Sequence, residues 1–144
     1  MLKGVPAILS PALLKVLCEM GHGDEIVIAD GNFPAESMGK DAIVIRADGH
    51  GVPEILDAVL RMIPLDQYVE QLAALMQVVP GDPCVPEIWD TYRTLLNKNG
   101  ENPQNVEMME RFAFYERAKK AYAIVATGET AIYANILLKK GVVE

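Results

Sequence analysis

Two side chains capable of acid–base chemistry lie close together near the start of the chain. His22 sits between Gly21 and Gly23, and Asp30 follows the apolar run Ile26–Ala29. An imidazole, with a reference pKa of about 6.5, donates and accepts protons near neutral pH. A carboxylate at a strand end can orient such a ring or accept hydrogen bonds from hydroxyl groups. The same spacing also fits a surface histidine beside a helix C-terminus and a turn aspartate, so both interpretations stand at this point.

A second group of candidates combines a cation with aromatic rings. Arg111 opens the segment 111–117, which contains three aromatic and three charged residues. Such an arginine can hold the hydroxyls of a sugar while an aromatic ring packs against the sugar's C–H face. The alternative is an amphipathic helix with Phe112 and Tyr115 in the core and Glu116 paired to a solvent-exposed arginine.

The segment Tyr133-Ala134-Asn135 is a third candidate, because a phenol and an amide together offer donors and acceptors to a polyhydroxylated ligand. The alternative is an ordinary strand start. Asp48 and His50 occupy another strand-end turn. They either belong to the same site or support the start of the next helix, and we favour the structural role.

Helices and strands alternate along the chain and would carry these residues at their ends. Ser10 followed by Pro11 is typical of a helix N-terminus, and Gly21 is predicted to end that helix in a left-handed conformation. The run 72–79 fits either a helix or a strand; we favour a strand, because a Pro-Gly turn follows it. The last two strands are predicted to be antiparallel. The predicted strands are 25–30, 42–46, 72–79, 121–127 and 133–141, and the predicted helices are 11–20, 52–63, 86–96 and 106–120.

This alternation predicts an α/β layered fold in which a mixed β-sheet is flanked by helices, with residues 1–144 forming a single domain. The net charge of −7 argues against nucleic-acid binding and against an anionic membrane surface, both of which require basic patches. No apolar run approaches the roughly 20 residues of a membrane span. We find no secretion signal, so we expect a cytoplasmic location. The chain also lacks nucleotide-binding, zinc-binding and serine-hydrolase motifs.

Several segments together resemble the ribose pyranase and fucose mutarotase family, and the resemblance spans nearly the whole chain. The match is weakest between about Pro64 and Val106. The segments that resemble the fucose mutarotase branch in particular are Arg111-Phe112-Ala113-Phe114-Tyr115-Glu116 and the ending from Thr127 to Val142. The other matching segments are Ser10–Leu17, Glu19-Met20-Gly21-His22-Gly23-Asp24-Glu25, Asn32-Phe33-Pro34-Ala35, Ser37-Met38-Gly39 and Ile45-Arg46-Ala47-Asp48-Gly49.

The resemblance implies an enzyme that interconverts the anomers of a monosaccharide, L-fucose by the branch, without a cofactor or metal. It also implies ring-shaped homo-oligomers, commonly decamers of two stacked pentamers, with active sites near subunit boundaries. It places the catalytic acid at His22 and assigns sugar contacts to Asp30, Arg111, Tyr133, Ala134 and Asn135. The base remains open among Tyr115, Tyr133 and water. A ribose pyranase activity and a non-catalytic sugar-binding ring are the alternatives.

The resemblance carries a geometric condition. The eight residue steps from His22 to Asp30 would span about 26 Å if fully extended. If both residues serve one pocket, the chain must turn sharply after Gly23, or the two must meet through a neighbouring subunit.

Overall fold

The computed structural model describes residues 1–144 and contains five helices and six strands. Ser10 caps the first helix as predicted, since its hydroxyl accepts the N–H of Leu13 at 3.2 Å. No helix is both long enough and apolar enough to cross a bilayer. The helices are α1 Pro11–Glu19, α2 Ala35–Met38, α3 Val52–Met62, α4 Ile88–Lys98 and α5 Arg111–Lys119; the strands are β1 Glu25–Ala29, β2 Ile43–Ala47, β3 Ala73–Met76, β4 Val106–Met109, β5 Ala123–Thr127 and β6 Ile136–Lys139.

The strands form one mixed sheet in the order β2-β5-β1-β6-β3-β4. Strands β1 to β5 all run in the same direction, and β6 alone runs against them between β1 and β3. The predicted α/β fold with a mixed sheet flanked by helices is therefore confirmed. The last two strands have opposite directions, as predicted, but β1 lies between them and they are not paired.

Alternate side chains of the central strands enter two separate cores, one on each face of the sheet. Ile26 and Ile28 of β1 pack in the larger core, with α1, α3 and α4. Val27 and Ala29 pack in the smaller core, with α2 and α5. A strand covered on both faces needs apolar residues at every position, which explains the uninterrupted run in β1.

The strand directions gather the connecting segments at two ends of the sheet. At what we call the carboxyl end, β1 to β5 finish and β6 begins; at the amino end, β1 to β5 begin and β6 finishes. Asp30 follows β1 and Tyr133 precedes β6, so both belong to the carboxyl end. His22 precedes β1 and belongs to the amino end.

The predicted helix over 106–120 is wrong in its first turn. Val106–Met109 is a strand paired in parallel with β3, so a partner distant in sequence outweighs the local helical pattern. The helix begins after Glu110, whose carboxylate oxygens accept the N–H groups of Phe112 and Ala113, both at 3.0 Å.

Two smaller expectations about turns also need correction. Gly21 is not left-handed: the first helix is closed by Met20, whose N–H bonds to the carbonyl oxygen of Val16 at 3.0 Å. The positive φ, 89°, belongs to Gly23. The segment between the first two predicted strands, for which no helix was predicted, contains the short helix α2.

Candidate active site

A cleft with a cavity of about 310 Å³ opens at the carboxyl end of the sheet. This volume lies at the small end of the roughly 300–1,000 Å³ typical of small-molecule sites. Five of the residues selected from the sequence line it. Its lining consists of Asp30, Asn32, Phe33, Met76, Val79, Asp82, Arg111, Tyr115, Ile132, Tyr133 and Asn135.

Asp30 is the buried acid of this cleft, with 6% of its surface exposed. Its Oδ1 accepts the N–H of Asn32 at 3.0 Å and its Oδ2 accepts the N–H of Ala134 at 3.3 Å. Burial raises the pKa of Asp30 above its ordinary value, and these two hydrogen bonds offset the rise only in part. The side chain is thus held in one orientation and is a ready acceptor for a ligand hydroxyl.

Asn135 and Ala134 join the start of β6 to Asp30. The amide oxygen of Asn135 accepts the Asp30 N–H at 2.8 Å, which leaves the NH₂ group of Asn135 as the donor available to a ligand. Ala134 does not line the cleft; it contributes through its backbone N–H to the Asp30 carboxylate. Asp30 and Asn135 are therefore joined polar groups of the cleft lining, and the Ala134 N–H holds the Asp30 carboxylate.

Arg111 lines the cleft and is held there by aromatic rings. Its guanidinium carbon lies 5.4 Å from the ring centroids of both Phe112 and Tyr115, and its Nε donates to the Tyr115 hydroxyl at 3.3 Å. Phe33 meets the Tyr115 ring edge-on at 5.7 Å. This stacking limits the arginine's freedom, and only its Nε donates within the protein, so its other N–H groups are available to a ligand in the cleft that it lines.

The interpretation of α5 as a helix with Phe112 and Tyr115 in the core is wrong for Phe112. Phe114 is the fully buried ring, whereas Phe112 is 65% exposed. Glu116 pairs with Lys119 at 2.8 Å rather than with an arginine. Arg117 instead joins Glu25 of β1 to Glu107 of β4, which fixes α5 against the sheet.

The lining also has an apolar part. Phe33 and Met76 are buried, whereas Val79 and Ile132 are partly exposed at the mouth. A monosaccharide has polar hydroxyl edges and less polar C–H faces, so a cleft lined by both polar and apolar side chains suits it.

His22 does not line the cleft. It lies beyond the amino end of β1, and the five extended residues of β1, about 16 Å long, separate it from Asp30. Its Nε2 lies 3.0 Å from Oδ1 of Asp66, and its ring centroid is 5.5 Å from that of Tyr68. The histidine is about half exposed, whereas the Asp66 side chain is only 3% exposed. Within one chain, therefore, His22 and Asp30 belong to two distinct sites.

Asp66 and its loop hold the imidazole in place. Burial acts to raise the pKa of Asp66, but the N–H of Tyr68 and the His22 ring outweigh it and keep the pKa below its ordinary value. Beneath the loop, the buried Glu101 accepts the N–H of Leu65 and an N–H of Gln67, both at 3.0 Å. The ionised Asp66 occupies Nε2 and leaves Nδ1 free to exchange a proton with a ligand.

Sequence reasoning missed Asp66, Tyr68 and Asp82. Each lies in a connecting segment with no periodicity, and only the turn Pro80-Gly81-Asp82-Pro83 carries a local signal. Asp48 and His50 lie outside the cleft, where they bond to Arg46 and Glu54. Neither accepts the first N–H groups of α3, since those of Gly51 and Val52 donate to Glu54 and Glu129. Most of the cleft residues that sequence reasoning did find lie at strand ends or at the start of α5.

Comparison with known proteins places this arrangement in context. The model of the RbsD / FucU transport protein family matches residues 3–143. A fucose mutarotase from Danio rerio is 55% identical over 147 aligned positions, covering 99% of this chain and 94% of that protein. The crystal structure of FucU from Bifidobacterium longum is 59% identical, with a TM-score of 0.96 over 99% of this chain and all of that one.

Two further solved structures contain sugars. The fucose mutarotase of Streptococcus pneumoniae, in complex with L-fucose, is 53% identical with a TM-score of 0.95, covering 99% of this chain and 100% of that one. RbsD of Bacillus subtilis, complexed with D-ribose, is 23% identical with a TM-score of 0.77 and covers all of both chains. At that lower identity the likeness to RbsD concerns the fold alone.

Proposed function

The chain belongs to the RbsD / FucU family, and from this premise we propose that it is an L-fucose mutarotase, an isomerase that interconverts the α and β anomers of the sugar. The observation that carries the proposal is the match, over nearly the full chain, to a fucose mutarotase whose structure holds L-fucose. We propose residues 1–144 as one mutarotase domain. Pyranose–furanose conversion of ribose has weaker support, because the RbsD relative is far more distant in sequence.

The cleft at the carboxyl end supplies the proposed sugar-binding groups. Asp30 accepts from hydroxyls, the Asn135 amide and Arg111 donate to them, and the Tyr133 phenol lies beside them in the same lining. Ala134 acts through its backbone N–H on Asp30. The apolar wall of Phe33 and its neighbours would face the C–H surface and the methyl group of a 6-deoxy sugar.

We propose that the active site is completed by a second copy of the chain. His22 and Asp30 lie at opposite ends of β1, so a single subunit cannot bring them to one sugar. A neighbouring copy that docks its amino end against the carboxyl end of the first would deliver His22, backed by Asp66, to the cleft. The exposed rings of Tyr68 and Phe112 are apolar surface available to such a contact. A closed ring, here a decamer of stacked pentamers, repeats a head-to-tail contact of this kind.

The chemistry needs a proton to be added at one oxygen and another removed at a second. His22 donates a proton to the ring oxygen while a base removes the proton of the anomeric hydroxyl, and the C1–O5 bond breaks to give the open aldehyde. Rotation about C1–C2 and the reverse proton transfers close the ring on the other face. A positioned imidazole contributes roughly 10²–10⁴-fold to such a step. Tyr115, Tyr133 or a water serves as the base.

We also propose a cytoplasmic location. Cys18 and Cys84 are both free thiols, which suits a reducing compartment.

Saturation-transfer NMR tests the function directly. Adding the protein to L-fucose, D-ribose and D-galactose in turn should accelerate α–β exchange most strongly for L-fucose. Faster pyranose–furanose exchange of ribose would favour the pyranase alternative. Sugar binding by calorimetry without faster exchange of any sugar would favour a non-catalytic binding protein.

Subunit mixing tests the shared site. His22→Ala chains should turn over slowly and Asp30→Ala chains should bind sugar weakly, so each alone should show little exchange at subsaturating L-fucose. Co-expressed as mixed oligomers, they should recover activity. With random assembly, about a quarter of the sites pair an intact Asp30 with an intact neighbouring His22. No recovery in verified mixed oligomers would place both residues in a site formed by one chain.

A further inference from the structure

Tyr133 has an unusual backbone that other residues hold in place. Its φ of 56° is the one positive value at a non-glycine residue, a conformation that costs about 1–3 kcal/mol outside glycine. The indole Nε1 of Trp89 donates to the Tyr133 carbonyl oxygen at 2.7 Å, and the Tyr92 hydroxyl donates to the Ala134 carbonyl oxygen at 2.6 Å. Two α4 side chains thus fix the backbone from which the Tyr133 ring enters the cleft.

The other end of the Tyr133 side chain is also held. Its hydroxyl donates to Oδ2 of Asp82 at 2.6 Å, a short hydrogen bond of the kind made to an ionised acceptor. The second oxygen of Asp82, Oδ1, accepts the N–H of Cys84 at 2.9 Å. Both Asp82 oxygens therefore have partners within the protein, although the residue lines the cleft.

A phenol has one proton to donate, and in this structure that proton goes to Asp82. The Tyr133 oxygen also accepts the N–H of Val79 in a long hydrogen bond of 3.4 Å. Towards a ligand in the cleft, the phenol can therefore act only as an acceptor, through its remaining lone pair. The hydrogen-bond direction between Tyr133 and a bound sugar is thus set by a carboxylate in the loop after β3.

We propose that Asp82 is a positioning residue that makes Tyr133 an obligate hydrogen-bond acceptor for one sugar hydroxyl. This inference rests on the proposed function, because it takes the sugar to bind in the cleft. Asp82 thereby selects a sugar that presents a hydroxyl donor at that position. The loop 77–87, which carries Asp82, becomes a determinant of sugar specificity rather than only the rim of the cleft.

Asp82→Asn reverses the polarity of this contact with little change in shape. The asparagine oxygen still accepts the Cys84 N–H, while its NH₂ group donates to the phenol oxygen and frees the phenol proton. We expect L-fucose to bind about tenfold more weakly to this variant. Asp90→Asn, an exposed aspartate on α4 outside the cleft, is the matched control and should bind as the wild type does.

Deoxyfluoro analogues of L-fucose provide the sharper measurement, because fluorine replaces a hydroxyl without being able to donate. One analogue of the series should lose about tenfold in affinity for the wild type relative to L-fucose, and less than threefold for Asp82→Asn. In a Tyr133→Phe background, Asp82→Asn should change affinity by less than about twofold. An equal effect of Asp82→Asn with and without the Tyr133 hydroxyl would overturn the proposal, as would identical analogue profiles for the wild type and Asp82→Asn.

A sugar-independent measurement separates this inference from the proposed function. The hydrogen bond to Asp82 raises the pKa of Tyr133, so Asp82→Asn should lower that pKa. The Tyr133 titration is identified as the phenol titration that is missing in Tyr133→Phe. If the wild type binds no sugar, the proposed function fails and the specificity role fails with it. If sugar binds normally and the phenol titration does not move, the proposed function stands and the Asp82 tether is wrong.

Discussion

The two ends of the β-sheet carry different halves of the proposed chemistry. The carboxyl end is a cleft lined by hydrogen-bonding groups, with the buried Asp30 at its base. The amino end has a half-exposed imidazole, His22, held by the buried Asp66. The carboxyl end thus has what is needed to hold a polyol, and the amino end what is needed to move a proton. The separation follows from the extended β1, because residues that precede and follow one strand lie at opposite ends of the sheet.

The comparison leads to a division of roles: variants at the carboxyl end should alter sugar affinity, and variants at the amino end should alter turnover. Three sets of variants test that division and its structural support, and a fourth compares the electrostatics of the two ends.

The largest effect is expected for His22→Ala. Loss of the proposed acid should reduce the rate of anomer exchange about 10²–10⁴-fold, with sugar affinity within about threefold of the wild type. NMR exchange and calorimetry measure the two quantities. His50→Ala, which removes the chain's other histidine outside the cleft, should leave both unchanged. A His22→Ala variant that exchanges anomers at the wild-type rate contradicts the assignment of the acid.

Arg111→Met tests the opposite end. The variant retains an apolar stem near the Phe112 and Tyr115 rings but removes the donors, so L-fucose should bind about tenfold more weakly. Turnover at saturating sugar should change much less. Arg93→Met, an arginine outside the cleft, is the control. A loss confined to turnover would assign Arg111 to the chemical step instead.

Glu101→Ala tests the support under the amino end. It leaves the Leu65 N–H and the Gln67 amide without their buried acceptor, which should cost about 1–3 kcal/mol of unfolding free energy. Glu101→Gln keeps one acceptor and should cost less. Urea denaturation measures both, with the exposed Glu87→Ala as control. If Glu101 positions Asp66 through its bonds to Leu65 and Gln67, Glu101→Ala should also reduce turnover while sugar affinity stays unchanged.

The smallest effect is a difference between Asp66→Asn and Asp30→Asn in how the free energy of unfolding depends on pH. The pKa of Asp66 is lowered by folding, so its charge stabilises the protein above the unfolded value of about 4, and this contribution is lost as the pH falls through the folded pKa. The pKa of Asp30 is raised, so its contribution is present below about pH 4 and is lost as the pH rises through the folded pKa. Relative to each variant, wild-type stability should therefore rise with pH for Asp66 and fall for Asp30.

Urea unfolding at fixed protein concentration between pH 3 and pH 6 measures both slopes. Slopes of the same sign would mean that folding shifts the pKa values of Asp66 and Asp30 in the same direction, contrary to this prediction.

Local patterns were informative where the residues that decide the structure are neighbours in sequence. The Ser10-Pro11 start of α1, the apolar β1 and the stop of α3 before Pro64 all rest on contacts within a few residues. The β4 strand was missed because its pairing partner β3 lies about 30 residues away, and the intervening sequence gives no sign of that pairing.

For the candidate site, the residues at strand ends were accessible to sequence reasoning and the supporting ones were not. Asp30, Arg111 and Tyr133 follow or precede elements with clear patterns, and their types suit sugar hydroxyls. Asp66 and Asp82 lie in segments without periodicity, and their importance arises from hydrogen bonds to His22 and Tyr133, which are 44 and 51 residues away along the chain.

The sequence by itself determined the α/β class, the apolar β1 and the set of side chains able to act on a sugar, because composition, periodicity and residue chemistry are local properties. Only the tertiary structure decided which of them share a cleft. The strand order places β6 between β1 and β3 and so gathers Asp30, Arg111 and Asn135 at one end, while the extended β1 carries His22 to the other. That separation is a consequence of long-range strand pairing, which no local pattern encodes.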